Sequence, residues 1–136
     1  MVERLVANEK VEGSTPFARS IFMNDLINKK CKPCEGGTIS FDITEIHKYQ
    51  KKVDGWNIVK NKKNVYFLEK KFTFKNFLKS QNFVNEVGKI SEEEGHHPDI
   101  LFGWGYAKIN VTTHAIEGLS ENDFILAAKI DKITSA

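Results

Sequence analysis

The sequence contains only two cysteines, Cys31 and Cys34, among its 136 residues. One Cys-x-x-Cys pair cannot form a zinc ribbon, because that site needs a second pair of ligands. No apolar run approaches the roughly 18 residues that indicate a membrane-spanning helix. The net charge of +2 is too small to indicate nucleic acid or a membrane surface as the partner. These absences favour a soluble globular protein.

The cysteine pair itself is interpreted as a loop that carries two reduced thiols. A thioredoxin-like redox site should lead into a helix, whereas Gly36-Gly37 follows the pair here. We therefore assign no function to Cys31 and Cys34.

The residues that are present favour one folded domain. Hydrophobic residues make up 40% of the chain, and ten residues are phenylalanine, which is typical of a folded protein. A chain of this size buries a modest core and gains stability from oligomerisation. We predict a domain at residues 39–136, preceded by a flexible N-terminal extension at residues 1–38.

The extension does not resemble a targeting peptide. Glu3, Glu9 and Glu12 are unlike the acid-poor composition of a transit sequence, and no apolar core of a signal peptide is present. Met23 could itself be a natural start. We expect residues 1–22 to be an upstream or artificial extension with little bearing on function. The expected compartment is the cytoplasm, with an organelle as the alternative if the extension is genuine.

Capping residues and hydrophobic periodicity predict seven elements in the order α-β-β-α-β-β-α. They are a helix capped by Ser40 and ended by Asp54-Gly55, strands at 56–60 and 65–72, a helix from Thr73 to about Glu94 with Gly95 as its stop, strands at 99–102 and 106–113, and a final helix from Glu121 to about Asp131 that begins with the capping-box-like Ser120-x-x-Asp123. This order predicts an α+β domain, in which three helices pack on one face of a four-stranded antiparallel sheet.

The apolar residues of the long helix cover more than one narrow stripe. Phe77 and Val87 fall on one arc, Phe83 and Ile90 on the next, and Leu78 on the opposite side. A helix with so wide an apolar arc packs on more than its own sheet. We therefore expect a subunit contact that involves Phe83 and Ile90.

Three of the four histidines, His96, His97 and His114, fall within nineteen residues. Imidazole has an unperturbed pKa of about 6.5, so it gives and takes protons near neutral pH. Pro98 disfavours the helical region for His97, which predicts that the long helix ends before the histidine pair. In an extended stretch the two adjacent rings point to opposite sides, and only a bent junction turns both into one pocket.

The histidines have two alternatives to acid/base chemistry. Three histidines can hold a catalytic zinc ion, but adjacent histidines are awkward chelators and no His-x-x-x-His motif is present. We therefore predict no metal. Isolated structural histidines are the second alternative, and His47 is interpreted as a surface residue. The basic turn at residues 60–63 is interpreted as solvated charge rather than a nucleic-acid patch.

The spacing of the polar residues resembles the signature of one known family. Glu92 is followed after three residues by His96-His97-Pro98, after five by Trp104, after nine by His114 and after eight by Asp123. This pattern resembles that of the pterin-4a-carbinolamine dehydratases. The resemblance extends over roughly residues 39–132 and includes Gly55-Trp56-Asn57, Phe72-Thr73-Phe74 and the stretch 118–123.

The resemblance implies the same α+β fold and the removal of water from a 4a-hydroxytetrahydropterin, without a cofactor. It implies recycling of the oxidised pterin used by aromatic amino acid hydroxylases. His96 and His97 would be the acid/base groups, with His97 the more critical, and His114 would orient the hydroxyl or share the proton. Carried over with them are Pro98, Thr113, Ala115 and Ile116 as pocket residues, and Glu92 and Asp123 as groups that orient the histidines. Each carboxylate has a structural alternative: Glu92 as an exposed helix residue, and Asp123 as the capping partner of Ser120.

The resemblance also implies partners. It predicts a pterin substrate and a homodimer or homotetramer, for which we expect contacts through the sheet edge and the helix at residues 74–94. From the charge and hydropathy above, we expect no membrane and no direct nucleic-acid contact. The alternative function is a binding module, because some relatives serve as dimerisation cofactors of a transcription factor or as assembly factors. The complete histidine set favours catalysis over this alternative.

Overall fold

The computed structural model describes residues 25–32 and 39–135 of the chain. Its elements follow the predicted order and, after a helical turn at residues 25–27, are α1 (Ile43–Gln50), β1 (Asn57–Lys60), β2 (Tyr66–Thr73), α2 (Phe77–Glu94), β3 (Asp99–Gly103), β4 (Tyr106–Val111), a 3-10 helix (His114–Ile116) and α3 (Glu121–Ser135). No helix among these residues is long and apolar enough to cross a membrane.

The four strands form one antiparallel sheet in the order β1-β2-β4-β3. In β4, Ala107, Ile109 and Val111 are fully buried, whereas Lys108 and Asn110 between them are half-exposed. This alternation is that of a strand with one face on the core. The helices cover that face, and the predicted α+β fold is confirmed.

Two predicted helix starts are wrong. Asp42, rather than Ser40, caps α1, because its side chain accepts from the Glu45 amide at 2.9 Å. Thr73 does not cap α2, because it is still paired with Tyr106 as the last residue of β2. The cap of α2 is Asn76, whose side chain accepts from the Lys79 amide at 2.9 Å. In both helices, a residue that lies further along the chain than the predicted one accepts the hydrogen bond that caps the first turn.

The packing of α2 corrects the predicted subunit contact. Phe83 is only 4% exposed, and its ring packs on Phe72 and Phe74 at centroid distances of 4.7 and 5.0 Å. It therefore belongs to the core of its own chain. The exposed apolar residues of α2 are Phe77 and Leu78 instead, and Leu78 is 60% exposed.

Residues 25–32 pack against the domain. Leu26 is fully buried within the hydrophobic core, and the ammonium of Lys29 donates to Glu121 in the first turn of α3 at 2.7 Å. The rest of the predicted extension, including Cys34, lies outside the described residues. At least this part of the N-terminal segment contacts the helices that carry the candidate site.

Candidate active site

His96 leaves the end of α2 on a tight turn. α2 ends at Glu94, and Gly95 follows in the left-handed region with φ 66°, which glycine adopts without the steric cost of a side chain. The amide of His96 donates to the Ser91 carbonyl at 3.1 Å. This closed turn determines where His96 leaves the helix, and only 12% of its side chain is exposed.

The partner of His96 is a fully buried carboxylate. Nε2 of His96 lies 2.7 Å from Oδ1 of Asp123, which belongs to the first turn of α3. Oδ2 of Asp123 accepts from the Thr113 hydroxyl at 2.7 Å and from the Ser120 amide at 2.9 Å. Hydrogen bonds on both oxygens thus offset the cost of burying the carboxylate.

This network determines which atom of His96 stays available. An ionised carboxylate only accepts hydrogen bonds, so Nε2 of His96 carries the proton that faces Asp123. Nδ1 is the ring nitrogen that does not face Asp123. A carboxylate placed in this way also orients the imidazole ring.

His97 has a different partner from its neighbour. Its Nε2 lies 2.9 Å from Oε1 of Glu92, and the His97 side chain is 60% exposed. The two adjacent rings therefore contact carboxylates on different helices, one buried and one exposed. An exposed pair such as His97–Glu92 contributes little to stability, but it leaves the imidazole accessible to a bound molecule.

His114 lies at the start of the 3-10 helix and is exposed. It lines a cavity of about 320 Å³ together with Asp99 and Asn110, which are register partners on β3 and β4. The remaining lining residues are Asn61, Lys63, Val65, Phe67, Thr112 and Glu117. Among the described residues, no hydrogen bond joins His114 to His96 or His97.

The four pocket residues carried over from the family are not among the residues that line this cavity, and neither are His96 and His97. Thr113 is buried and turns its hydroxyl to Asp123. Pro98 and Ile116 are half-buried, and Ala115 is exposed beside His114. Thr113 thus contacts the buried carboxylate, while the next residue, His114, lines the cavity.

The sequence named Ser120 as the capping partner of Asp123, and the Ser120 amide donates to that carboxylate. The Ser120 hydroxyl also lies 3.0 Å from that of Thr113 and extends the Asp123 network. Sequence reasoning missed two polar residues near these sites. Asn110 and Asp99 line the cavity beside His114. The alternation of β4 could have indicated Asn110, because it falls on the polar face. Asp99 had no such signal, because its position depends on the register between two strands.

The part of the chain that the structure describes contains no cluster of metal-ligating side chains. No group of three or more His, Cys, Asp or Glu side chains there is arranged to hold an ion. His96 and His97 instead each contact one carboxylate, Asp123 and Glu92 respectively.

A sequence model of the family described as pterin 4 alpha carbinolamine dehydratase matches residues 40–133. The chain belongs to this family. The family predicted from the spacing of Glu92, His96-His97-Pro98, His114 and Asp123 is therefore confirmed.

Bacterial relatives support membership of the pterin-4a-carbinolamine dehydratase family. A Rubrobacter xylanophilus protein, provisionally named pterin-4-alpha-carbinolamine dehydratase, is 43% identical over 111 residues, which cover 82% of this chain and 100% of the relative. A Nitrosospira multiformis protein with the same provisional name is 46% identical over 111 residues, covering 82% of this chain and 94% of the relative. The sequence identity supports the family. Because the names are provisional, the activity of this chain is stated below as a proposal.

Two solved structures share the fold. A transcriptional coactivator/pterin dehydratase from Brucella melitensis has a TM-score of 0.63 at 23% identity, covering 69% of this chain and 97% of its own. A pterin dehydratase-like protein, described as a RuBisCO assembly factor in the alpha-carboxysome, has a TM-score of 0.51 at 25% identity, covering 60% and 92%. The family fold is thus found in proteins with different described roles.

Proposed function

We propose that this protein dehydrates 4a-hydroxytetrahydropterin to quinonoid dihydropterin and so takes part in tetrahydrobiopterin recycling. The observation that carries the proposal is the His96–Asp123 pair, in which a fully buried carboxylate holds one imidazole at 2.7 Å. Family membership supplies the substrate class, which the histidines alone do not name.

The proposed reaction needs only proton transfer. The C4a–oxygen bond breaks as a general acid protonates the leaving hydroxyl, and a general base removes the proton from the ring nitrogen. Water leaves, and a carbon–nitrogen double bond forms. No electrons pass to or from another molecule, so imidazole, whose unperturbed pKa is about 6.5, is a side chain suited to both steps.

In this proposal the three histidines have different roles, which follow from how exposed each side chain is. His97 is the more accessible of the adjacent pair and acts directly on the substrate. His96, oriented by Asp123, exchanges protons through the ring nitrogen that does not face the carboxylate. His114 orients the hydroxyl or shares its proton at the rim of the cavity that it lines.

The volume and polarity of that cavity suit a small heterocycle. Its volume of about 320 Å³ lies at the lower end of the range for small-molecule sites. Two carboxylates, Asp99 and Glu117, line it beside His114. Carboxylates accept hydrogen bonds from neighbouring N–H groups, such as those on the aminopyrimidine edge of a pterin.

The test is a dehydration assay on freshly generated 4a-hydroxytetrahydropterin, compared with the uncatalysed rate. We expect the wild-type protein to accelerate quinonoid dihydropterin formation and His97→Ala to lose roughly 100-fold or more of that acceleration. His47→Ala is the matched control, because His47 is an exposed histidine on α1 whose ring contacts Gln50 of the same helix. Full activity in His97→Ala would overturn the assigned role.

A binding module is the second candidate. Apolar side chains are exposed on α2 and around the β3–β4 hairpin, namely Phe77, Leu78, Leu101 and Trp104. An exposed apolar surface is a common feature of protein-binding sites. If the folded wild-type protein gave no acceleration, this surface would become the one to probe.

A further inference from the structure

Two separate helices carry the His96–Asp123 pair. His96 follows the last turn of α2, whereas Asp123 lies in the first turn of α3, 27 residues further along the chain. Their hydrogen bond of 2.7 Å therefore depends on how the end of α2 is placed relative to the start of α3. Any contact that joins these two helix ends also sets the geometry of the pair.

The N-terminal segment at residues 25–32, here called the strap, contacts both helix ends. The Cys31 amide donates to Oε1 of Glu94 at 2.9 Å. The Lys32 amide donates to Oδ1 of Asn122 at 2.9 Å, and the Asn122 side-chain amide donates back to the Lys32 carbonyl at 2.5 Å. Glu94 lies two residues before His96, and Asn122 lies directly before Asp123.

These contacts are firmly anchored. Leu26 holds the beginning of the strap in the hydrophobic core. Oε2 of Glu94 accepts from the Lys129 ammonium of α3 at 2.6 Å, and both side chains are largely buried. Burial favours a higher pKa for the Glu94 carboxyl, but the hydrogen bonds from Lys129 and the Cys31 amide outweigh it and lower the pKa. Glu94 is therefore held in its charged form at neutral pH.

The side chain of Cys31 completes the contact without adding charge. Its thiol lies 3.6 Å from the Asn122 carbonyl. Burial, together with the nearby Glu94 carboxylate, raises the pKa of this thiol to about 12. The thiol stays protonated, so it covers the start of α3 as a neutral group.

We propose that the strap is a positioning element for the reaction proposed above, and that it acts by joining Glu94 to Asn122 and so holding His96 on Asp123. The inference rests on that proposed function. The strap lies outside the residues 40–133 that the family match covers. Its contacts run through the Cys31 and Lys32 backbone to residues adjacent to the pair, so its residues position the pair and take no part in proton transfer.

The test uses Asn122→Ala in the full-length chain, which removes both hydrogen bonds to the Lys32 backbone. The matched control is Lys32→Ala, because it shortens an exposed side chain and leaves the same backbone groups in place. Two readouts are compared: the nitrogen-bound proton of His96 by NMR, and kcat separately from KM in the dehydration assay.

We expect Asn122→Ala to remain folded and to broaden or lose the His96 Nε2 proton signal through faster exchange with water. We expect kcat to fall roughly 10-fold with KM changed less than about twofold, because a small misplacement of catalytic groups costs rate rather than binding. Lys32→Ala should match the wild type in both readouts. An unchanged His96 signal in folded Asn122→Ala would overturn the proposal.

A second variant covers the case in which Asn122→Ala does not fold. Glu94→Gln keeps the side-chain shape but removes the charge that Lys129 and the Cys31 amide bind, and it should change the His96 signal in the same direction. A wild-type signal in folded Glu94→Gln would also overturn the proposal. If the wild-type protein shows no dehydratase activity, the proposed function fails, while the NMR comparison still decides whether the strap positions the pair.

Discussion

His96 and His97 are neighbours in sequence but differ in what surrounds them. Asp123 holds His96 among buried groups, whereas Glu92 contacts His97 in solvent. An ion pair in solvent is weak, while a buried hydrogen-bonded pair is costly to break from one side. Substitutions around Asp123 should therefore affect folding as well as function, and substitution of His97 should affect function alone.

Thr113→Val should destabilise the protein, because it removes a hydrogen-bond donor from the buried Asp123 carboxylate with little change of shape. We expect a loss of about 1–3 kcal/mol in the free energy of unfolding, the usual cost of leaving a buried polar group short of a partner. Urea denaturation measures it. Thr73→Val is the control, since Thr73 is exposed at the end of β2. Equal stability of the two variants would contradict the prediction.

The stability of the protein should depend on pH through one buried carboxyl group, that of Asp131. It lies in α3 and accepts from the Trp56 ring at 3.0 Å and from the Lys70 ammonium at 2.8 Å. Burial nevertheless raises its pKa from 3.8 to about 6. The folded state therefore binds this proton more tightly than the unfolded state.

Because the pKa of Asp131 is raised on folding, its contribution to stability should fall as the pH rises from about 4 to about 6, and stay constant above that. The change should be on the order of 3 kcal/mol. Thermal or urea unfolding of the wild type and of Asp131→Asn across this range measures it as the difference between the two proteins. Parallel pH profiles of the two proteins would show that Asp131 is not the cause.

At the scale of elements, the strap at residues 25–32 belongs to the folded unit. The sequence pattern shows that these residues lie outside the family signature, but it does not indicate that Leu26 enters the core. A short segment with one buried side chain has no periodicity to detect.

Leu26→Ala should cost about 2–5 kcal/mol in the free energy of unfolding, because it leaves a cavity in the core. The matched control is Ile39→Ala, since Ile39 is 88% exposed and its truncation removes little buried surface. Chemical denaturation of the three proteins provides the comparison. A Leu26→Ala variant as stable as the control would mean that the strap does not pack on the core in solution.

At the scale of the whole molecule, we propose that the protein forms a homodimer or homotetramer through the sheet edge and α2. β3 is an edge strand, and an edge strand presents unpaired backbone groups to another chain. Leu101 on β3 and Leu78 on α2 are both exposed apolar residues. Phe83, in contrast, belongs to the core and would unfold the chain if charged.

Leu78→Glu and Leu101→Glu should each lower the mass measured by light scattering, because each places a charge in the proposed contact, and should leave the circular dichroism spectrum unchanged. Gln81→Glu is the control, as it adds the same charge at an exposed position of α2. A monomeric wild-type protein would contradict the proposal. If neither substitution changed the oligomer, the contact would have to lie on another surface.

By itself the sequence determined the order of the elements, the end of α2 at Gly95, the start of α3 at Ser120 and the family. The elements depend on residues a few positions apart, where capping and periodicity act, and the family depends on the linear spacing from Glu92 to Asp123. Only the tertiary structure decided that His96 meets Asp123, that Phe83 faces its own core and that Cys31 and Lys32 reach Glu94 and Asn122. Those contacts join residues that are far apart in the chain, and the packing of the whole core selects them rather than any local preference.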